Sequence, residues 1–132
     1  MLTDHGIGAA LDELAGRTAI PLTIDGAGIP RFTAEAEAAA YFFVAEAITN
    51  ATKHTTATRV RVRLDAVTGG WRVTVSDDGR GGADPQRGTG LQGIIERAEA
   101  LGASVRVSSP AGGPTELSLH LPDGLARAAE GR

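Results

Sequence analysis

From Thr33 to His54 the chain runs without glycine or proline, and small or apolar residues recur at Ala40, Val44, Ala47, Ile48 and Ala51. That i, i+4, i+7, i+8, i+11 series forms one buried stripe, so the pattern predicts a helix of about 20 residues. Thr33 offers a side-chain oxygen to cap it, and Glu35 stands in the first turn, where the helix dipole favours an acid. Downstream the period drops to two: Val60, Val62 and Leu64 alternate with Arg59, Arg61 and Arg63, and the alternation returns with Trp71, Val73 and Val75. Thr68-Gly69-Gly70 between them reads as a hairpin turn.

Helical spacing comes back at Leu91, Ile94, Ile95, Ala98 and Leu101, closed by Gly102. Two further strands, Ser104 to Ser108 and Thr115 to Leu121, flank a Ser-Pro-Ala-Gly-Gly-Pro turn, with Leu117, Leu119 and Leu121 set against Glu116, Ser118 and His120. At the start of the chain, residues 7–15 predict a short helix on Ile7, Leu11 and Leu14, ended by Gly16, and Pro21 to Asp25 a brief strand. The order is therefore helix, strand, long helix, hairpin, glycine-rich loop, helix, hairpin. Hairpins impose antiparallel pairing, and amphipathic helices must cover a sheet face. The expected fold is α+β: a two-layer α/β sandwich whose mixed, mainly antiparallel sheet carries about three helices on one face. One domain is expected over residues 1–122, with 123–132 as a loose tail after Pro122.

Composition narrows the chemistry. A chain of 132 residues fits one domain. A net charge of −3 gives no reason to expect nucleic acid or an anionic membrane as partner. The absence of cysteine removes disulfides and thiolate metal sites and fits a reducing, cytoplasmic setting. Only His5, His54 and His120 are present, with no i, i+4 pair, so a structural zinc site is not expected. No apolar run is long enough to span a bilayer, and the N-terminus lacks the regions of a signal peptide.

Two patterns remain unexplained by folding alone. On the long helix Glu46, Asn50 and Lys53 or His54 share a face at the flank of the apolar stripe. After Val75 the buried phase of the strand reaches Asp77, and an acid in that phase must be hydrogen-bonded or neutralised. The glycine-dense stretch Asp77 to Gly93 follows. A purine nucleotide suits this set. A buried carboxylate at Asp77 is a strong acceptor for the adenine amine. Gly79 and Gly81 let backbone lie against the ring. Gly88-Thr89-Gly90 precedes a helix start near Leu91, where free N–H groups suit phosphates. Asn50 could give Mg²⁺ a neutral oxygen, with Lys53 and His54 near phosphate oxygens.

Glu46-x-x-x-Asn50-x-x-Lys53-His54, Asp77-x-Gly79-x-Gly81 and Gly88-x-Gly90-Leu91 together resemble the N, G1 and G2 boxes of bacterial sensor histidine kinases. These belong to the gyrase, Hsp90, histidine kinase and MutL superfamily with its Bergerat-type ATP-binding fold. Gly90 to Gly102 looks most like the subgroup paired with helix-turn-helix response regulators. The resemblance covers about Leu2 to Pro122. It implies that Asp77 holds the adenine amine, Gly79 and Gly81 shape its wall, and Asn50 ligates Mg²⁺. It further implies that Lys53 and His54 contact phosphates, that Gly88, Thr89, Gly90 and Leu91 form the phosphate end of a lid, and that Glu46 orients water or the acceptor. The implied reaction passes the γ-phosphoryl group of ATP to a histidine on a separate phosphoacceptor domain, with ADP as product and a response regulator downstream. No helical hairpin bearing such a histidine precedes this segment, so a catalytic domain apart from its acceptor is expected. The parent kinase could be membrane-anchored, without insertion of this segment.

Two departures carry consequences. The lid, Ala83 to Arg87, is very short, which predicts modest affinity. Pro114 stands where relatives usually place a second glycine, leaving the role of Thr115 near the base open. Two other readings use the same boxes: an anti-sigma-factor-type serine kinase and a degenerate nucleotide-binding interaction module. Gly88-Thr-Gly90-Leu-Gln-Gly93 also matches the dinucleotide fingerprint, but the strand it requires ends about ten residues too early.

Overall fold

A computed structural model describes residues 2–26, 28–53, 57–79, 91–110, 112 and 114–126. The elements are α1 (Leu2–Arg17), β1 (Leu22–Asp25), α2 (Ala34–Lys53), β2 (Val60–Val67), β3 (Gly70–Asp77), α3 (Leu91–Ala100), β4 (Ser104–Ser108) and β5 (Thr115–Pro122). The strands form one five-stranded sheet in the order β1-β2-β3-β5-β4, with β1 parallel to β2 and every other pairing antiparallel. The expected two-layer α+β sandwich is the fold.

The long helix spans 20 residues, as its uninterrupted pattern predicts. Thr33 caps it: its Oγ1 accepts the Ala36 N–H at 3.2 Å. A second acid, Glu37, completes the entry from a fully buried position. It accepts Nε of Arg31 at 2.8 Å, Nη2 of Arg31 at 3.0 Å and the Phe32 N–H at 2.9 Å. A buried carboxylate needs this degree of compensation, and Glu37 reaches it by turning back over the residues before the cap.

The predicted stripe of Ala40, Val44, Ala47, Ile48 and Ala51 is buried, together with Phe43. Its small residues let α2 lie against the inward faces of the sheet, Val60, Val62 and Leu64 on β2, Val73 and Val75 on β3, and Leu117, Leu119 and Leu121 on β5. Helix α1 packs on α2 and β1, and α3 on α2 and β4. Alternation in the strands thus sorts side chains into a core face under the helices and a polar face away from them.

Helix α1 begins earlier than the expected residues 7–15, because a further stretch of helix from Leu2 joins it across a kink at Gly6, whose φ of 79° is outside the helical range. Helix α3 ends in a Schellman arrangement: the Ala103 N–H reaches the Ala98 carbonyl at 2.9 Å and the Gly102 N–H the Glu99 carbonyl at 3.0 Å. Gly102 takes the left-handed conformation this requires, φ 87°. The segment after Pro122, expected to be loose, opens as a 3-10 turn over Asp123–Leu125. The Leu125 carbonyl accepts the Thr33 N–H at 2.9 Å and Ala126 bridges Phe32, so these residues close the domain beside the start of α2.

Candidate functional site

The site is built where α2 and β3 end together. The connection after α2 leads to Val60, and Val60 is the cross-strand partner of Asp77. The last turn of α2 and the last residue of β3 therefore lie at the same end of the sandwich. On its other side Asp77 pairs with Thr115, the first residue of β5. Val60, Asp77 and Thr115 form one row across the sheet, facing the helix layer.

Asp77 is 8% exposed. Its Oδ1 accepts the Gly79 N–H at 2.8 Å, a turn two residues long. That bond uses one of several acceptor positions on the carboxylate, so capping the turn leaves capacity for another donor. Burial raises the pKa of Asp77; the Gly79 N–H opposes the rise, and the neighbouring Asp78 adds to it. Thr115 is also buried, with Oγ1 at 2.7 Å from Oγ of Ser109.

Asn50 carries the sharper signal. It is 6% exposed, and neither its amide nitrogen nor its amide oxygen has a hydrogen-bond partner among the described residues. A buried amide with both ends unmet is costly, on the order of 1–3 kcal/mol per group, and native structures keep few of them. The position is chemically suited to a ligand: its oxygen can meet a cation and its nitrogen an anionic oxygen.

Glu46, one turn earlier, is half-buried. It opens with Phe42, Ala45 and Thr49 onto a groove of about 390 Å³ closed by Ile94 and Arg97 of α3. The Arg97 guanidinium lies 5.3 Å from the centroid of the Phe42 ring, within cation–π range. The structure thus turns Glu46 towards the α2–α3 groove and Asn50 inward.

Asp78, outside the set chosen from sequence, fixes the frame. It is exposed and accepts the Thr58 N–H at 2.7 Å, the Thr58 hydroxyl and the Arg59 N–H at 3.2 Å. These bonds, led by the Thr58 hydroxyl, hold its pKa at about 2, below the ordinary 3.8. The second acid of Asp77-Asp78 fastens the α2–β2 connection to the end of β3. Its period-2 phase, opposite to that of Asp77, was the available signal.

Of the other residues chosen from sequence, Gly79 is buried after β3, Lys53 ends α2 and Leu91 opens α3. The helix start expected near Leu91 is therefore present. His54, Gly81, Gly88, Thr89, Gly90 and the lid Ala83 to Arg87 lie outside the described residues. Among the described residues no three His, Asp or Glu side chains gather as a metal cluster, and no helix is long and apolar enough to cross a membrane.

Residues 35–125 match the family described as histidine kinase-, DNA gyrase B- and HSP90-like ATPases. The chain belongs to this ATPase family. It is similar to the nitrate/nitrite sensor protein NarQ of Escherichia coli, 33% identical over 127 residues, covering 92% of this chain and 21% of that protein. It is also similar to the sensor histidine kinase MctS of Rhizobium johnstonii, 34% identical over 126 residues, covering 87% of this chain and 27% of the relative. The chain spans about a fifth to a quarter of these relatives.

Among solved structures, the histidine kinase domain of the Erythrobacter litoralis EL346 blue-light activated kinase aligns with TM-score 0.64 at 28% identity, covering 86% of this chain and 56% of that one. The ATP-binding domain of PrrB from Mycobacterium tuberculosis aligns with TM-score 0.67 at 24% identity over 92% of this chain and 91% of its own, a likeness of fold. The ATPase family expected from the three boxes is borne out, and the relatives the chain resembles are sensor proteins and sensor histidine kinases.

Proposed function

We propose that this ATPase-family domain binds Mg²⁺-ATP and passes the γ-phosphoryl group to a histidine carried on a separate phosphoacceptor domain, within two-component signalling. The observation that carries the reading is Asn50, a buried amide with both ends unpartnered among the described residues, at the end of the sandwich that also holds the buried Asp77. Asp77 accepts the adenine amine while its Oδ1 keeps the Gly79 turn. Thr115, its neighbour on β5, lies beside the base. Asn50 holds Mg²⁺ through its amide oxygen. Gly79 and Gly81 shape the adenine wall, Lys53 and His54 contact the phosphates, and Gly88, Thr89, Gly90 and Leu91 supply the phosphate end of the lid.

When bound, the metal supplies charge neutralisation on the phosphates, the main need in phosphoryl transfer. The acceptor imidazole nitrogen forms a bond to the γ-phosphorus, the bond from that phosphorus to the β–γ bridging oxygen breaks, and ADP departs. The imidazole gives up its proton. Glu46 faces the α2–α3 groove, an open side of the helix layer, and there orients the acceptor or a water that takes this proton. Downstream, the phosphoryl group passes to a response regulator. His120 lies on the sheet face away from the helices and so is no acceptor beside Glu46.

Labelled ATP, this chain and a candidate acceptor domain test the reading. Label on the acceptor that survives base and is lost in acid marks phosphohistidine. The reverse stability marks phosphoserine and transfers the domain to the serine-kinase reading. No Mg²⁺-dependent ATP binding by calorimetry overturns both.

A further inference from the structure

The sheet face away from the helices carries three rows of side chains that cross its strands. The register sets Arg63, Thr74, Ser118 and Arg106 side by side on β2, β3, β5 and β4. The next row holds Asp65, Arg72, His120 and Ser104. On the other side lies Arg61, Ser76, Glu116 and Ser108. In the middle row short hydroxyl side chains on β3 and β5 lie between arginines on β2 and β4, and Asp25 of β1 stands beside Arg63 at the edge of the sheet. The result is a trough of about 410 Å³ with Thr74 and Ser118 as its floor and Arg63, Arg72 and Arg106 around it.

Two independent observations mark this trough as a binding surface. Thr74 is 2% exposed, although it points away from the core, and its Oγ1 has no hydrogen-bond partner among the described residues. A buried hydroxyl without a partner is a cost that a polar occupant removes. The arginines differ as well. Arg59 and Arg61 each meet an acid, Asp78 at 3.8 Å and Asp25. Arg63, Arg72 and Arg106 have no ion-pair partner among the described residues. A protein of net charge −3 thus gathers three guanidiniums outside any ion pair among the described residues over one polar floor, with Asp25 and Asp65 beside Arg63 and Arg72 in the register and Glu116 on the rim.

We propose that this trough docks an acidic segment of a partner protein, its carboxylates on Arg63, Arg72 and Arg106. Spacing favours a chain over a single ion. Arg63 and Arg106 stand three strand spacings apart, about 14 Å between their Cα atoms. Carboxylates at i and i+4 of an extended segment are about 14 Å apart too, and guanidiniums grip such groups in bidentate fashion. The three rows contain no Phe, Tyr or Trp on which nucleic-acid bases could stack, and the overall negative charge opposes a long polyanion. Asp65 and Glu116 border the trough, limiting the attractive region to the middle and so selecting where acids fall along the segment.

The test uses the whole chain and a short peptide with Glu at every second position, read by amide chemical-shift mapping and titration. Shifts are expected on β3, β5 and β4 around Thr74 and Ser118. The Arg63→Gln/Arg106→Gln double variant should weaken binding about tenfold or more. Arg17→Gln, which removes a guanidinium of the helix layer held by the Tyr41 hydroxyl at 3.1 Å, should leave it unchanged. Arg63→Lys/Arg106→Lys keeps the charge and should retain part of the affinity, while unchanged melting temperatures establish that the variants fold. ATP affinity should be the same in all of them, so failure of this proposal is separable from failure of the nucleotide site. Undiminished peptide binding in the double Gln variant, or no shifts on this face, overturns the proposal. So does displacement by inorganic phosphate as effective as by free peptide, which would make the trough a small-anion site.

Discussion

Asp77 and Asp78 are neighbours with opposite environments. Burial raises the pKa of Asp77, so its folded value lies above its unfolded one. The fold is therefore favoured when this group is protonated, and that part of the stability is lost as pH rises through the raised value. Nucleotide binding should run the other way, because a carboxylate accepts the adenine amine better than a neutral acid. With adenosine as ligand, which carries no titrating phosphate, affinity is expected to fall on acidification at a higher pH than an exposed Asp would give. Asp77→Asn should weaken ATP by about 1–3 kcal/mol, and calorimetry showing unchanged affinity would remove Asp77 from the base site. Asn50 permits a cleaner separation. Asn50→Leu keeps the branching and removes two polar atoms that have no partner among the described residues, so thermal stability should hold or rise by about 1 kcal/mol while Mg²⁺-dependent ATP affinity is lost. A lower melting temperature would instead reveal a structural partner for the amide.

At the level of elements, the site depends on how α2, β2 and β3 are tied at one end. Asp78 makes that tie through Thr58 and Arg59. Its folded pKa of about 2 lies below the ordinary 3.8, so its contribution is present above the ordinary value and disappears as pH falls towards the folded one. Asp78→Ala should lower the melting temperature near neutrality, and the gap to the parent protein should close as pH drops through that window. A gap independent of pH would mean that the side chain acts by something other than its charge. The end of α3 gives a purely conformational test. A methyl group at Gly102 would meet nothing within 4 Å, but φ is 87°. Gly102→Ala is therefore expected to cost about 1 kcal/mol in denaturant unfolding, with no change in ATP affinity.

For the whole molecule, α2 and the sheet form one core, so ligand binding at their shared end should stabilise the domain as a unit. At about a hundred times Kd, Mg²⁺-ATP adds about 2.7 kcal/mol if it binds only the folded state. The melting temperature should rise accordingly in Mg²⁺ and by less when the metal is chelated. A single shifted transition is expected; a shift without metal dependence would remove Asn50 from metal binding. The same arrangement explains the division of labour between faces. Helices cover the apolar side and meet the end that carries Asn50 and Asp77, while the open side is free to carry a charged trough.

Sequence alone determined the element order, the α+β class, the length of α2 and the inward residues of β2, β3 and β5, because periods of 3.6 and 2 follow directly from backbone geometry. It also marked Asp77, since an acid in a buried phase conflicts with its own solvation. What it left undecided depends on residues far apart in the chain. Glu37 looks like any first-turn acid until Arg31 and Phe32 are seen folded back against it. Asp78 is one more loop acid until the return of the chain brings Thr58 beside it. Arg63, Thr74, Ser118 and Arg106 become a row only through pairing register, and β5 lies between β3 and β4 in a way no local pattern specifies. Asn50, finally, was placed on a flank by helical spacing; tertiary packing buried it, and only the folded chain shows that its amide finds no partner among the described residues.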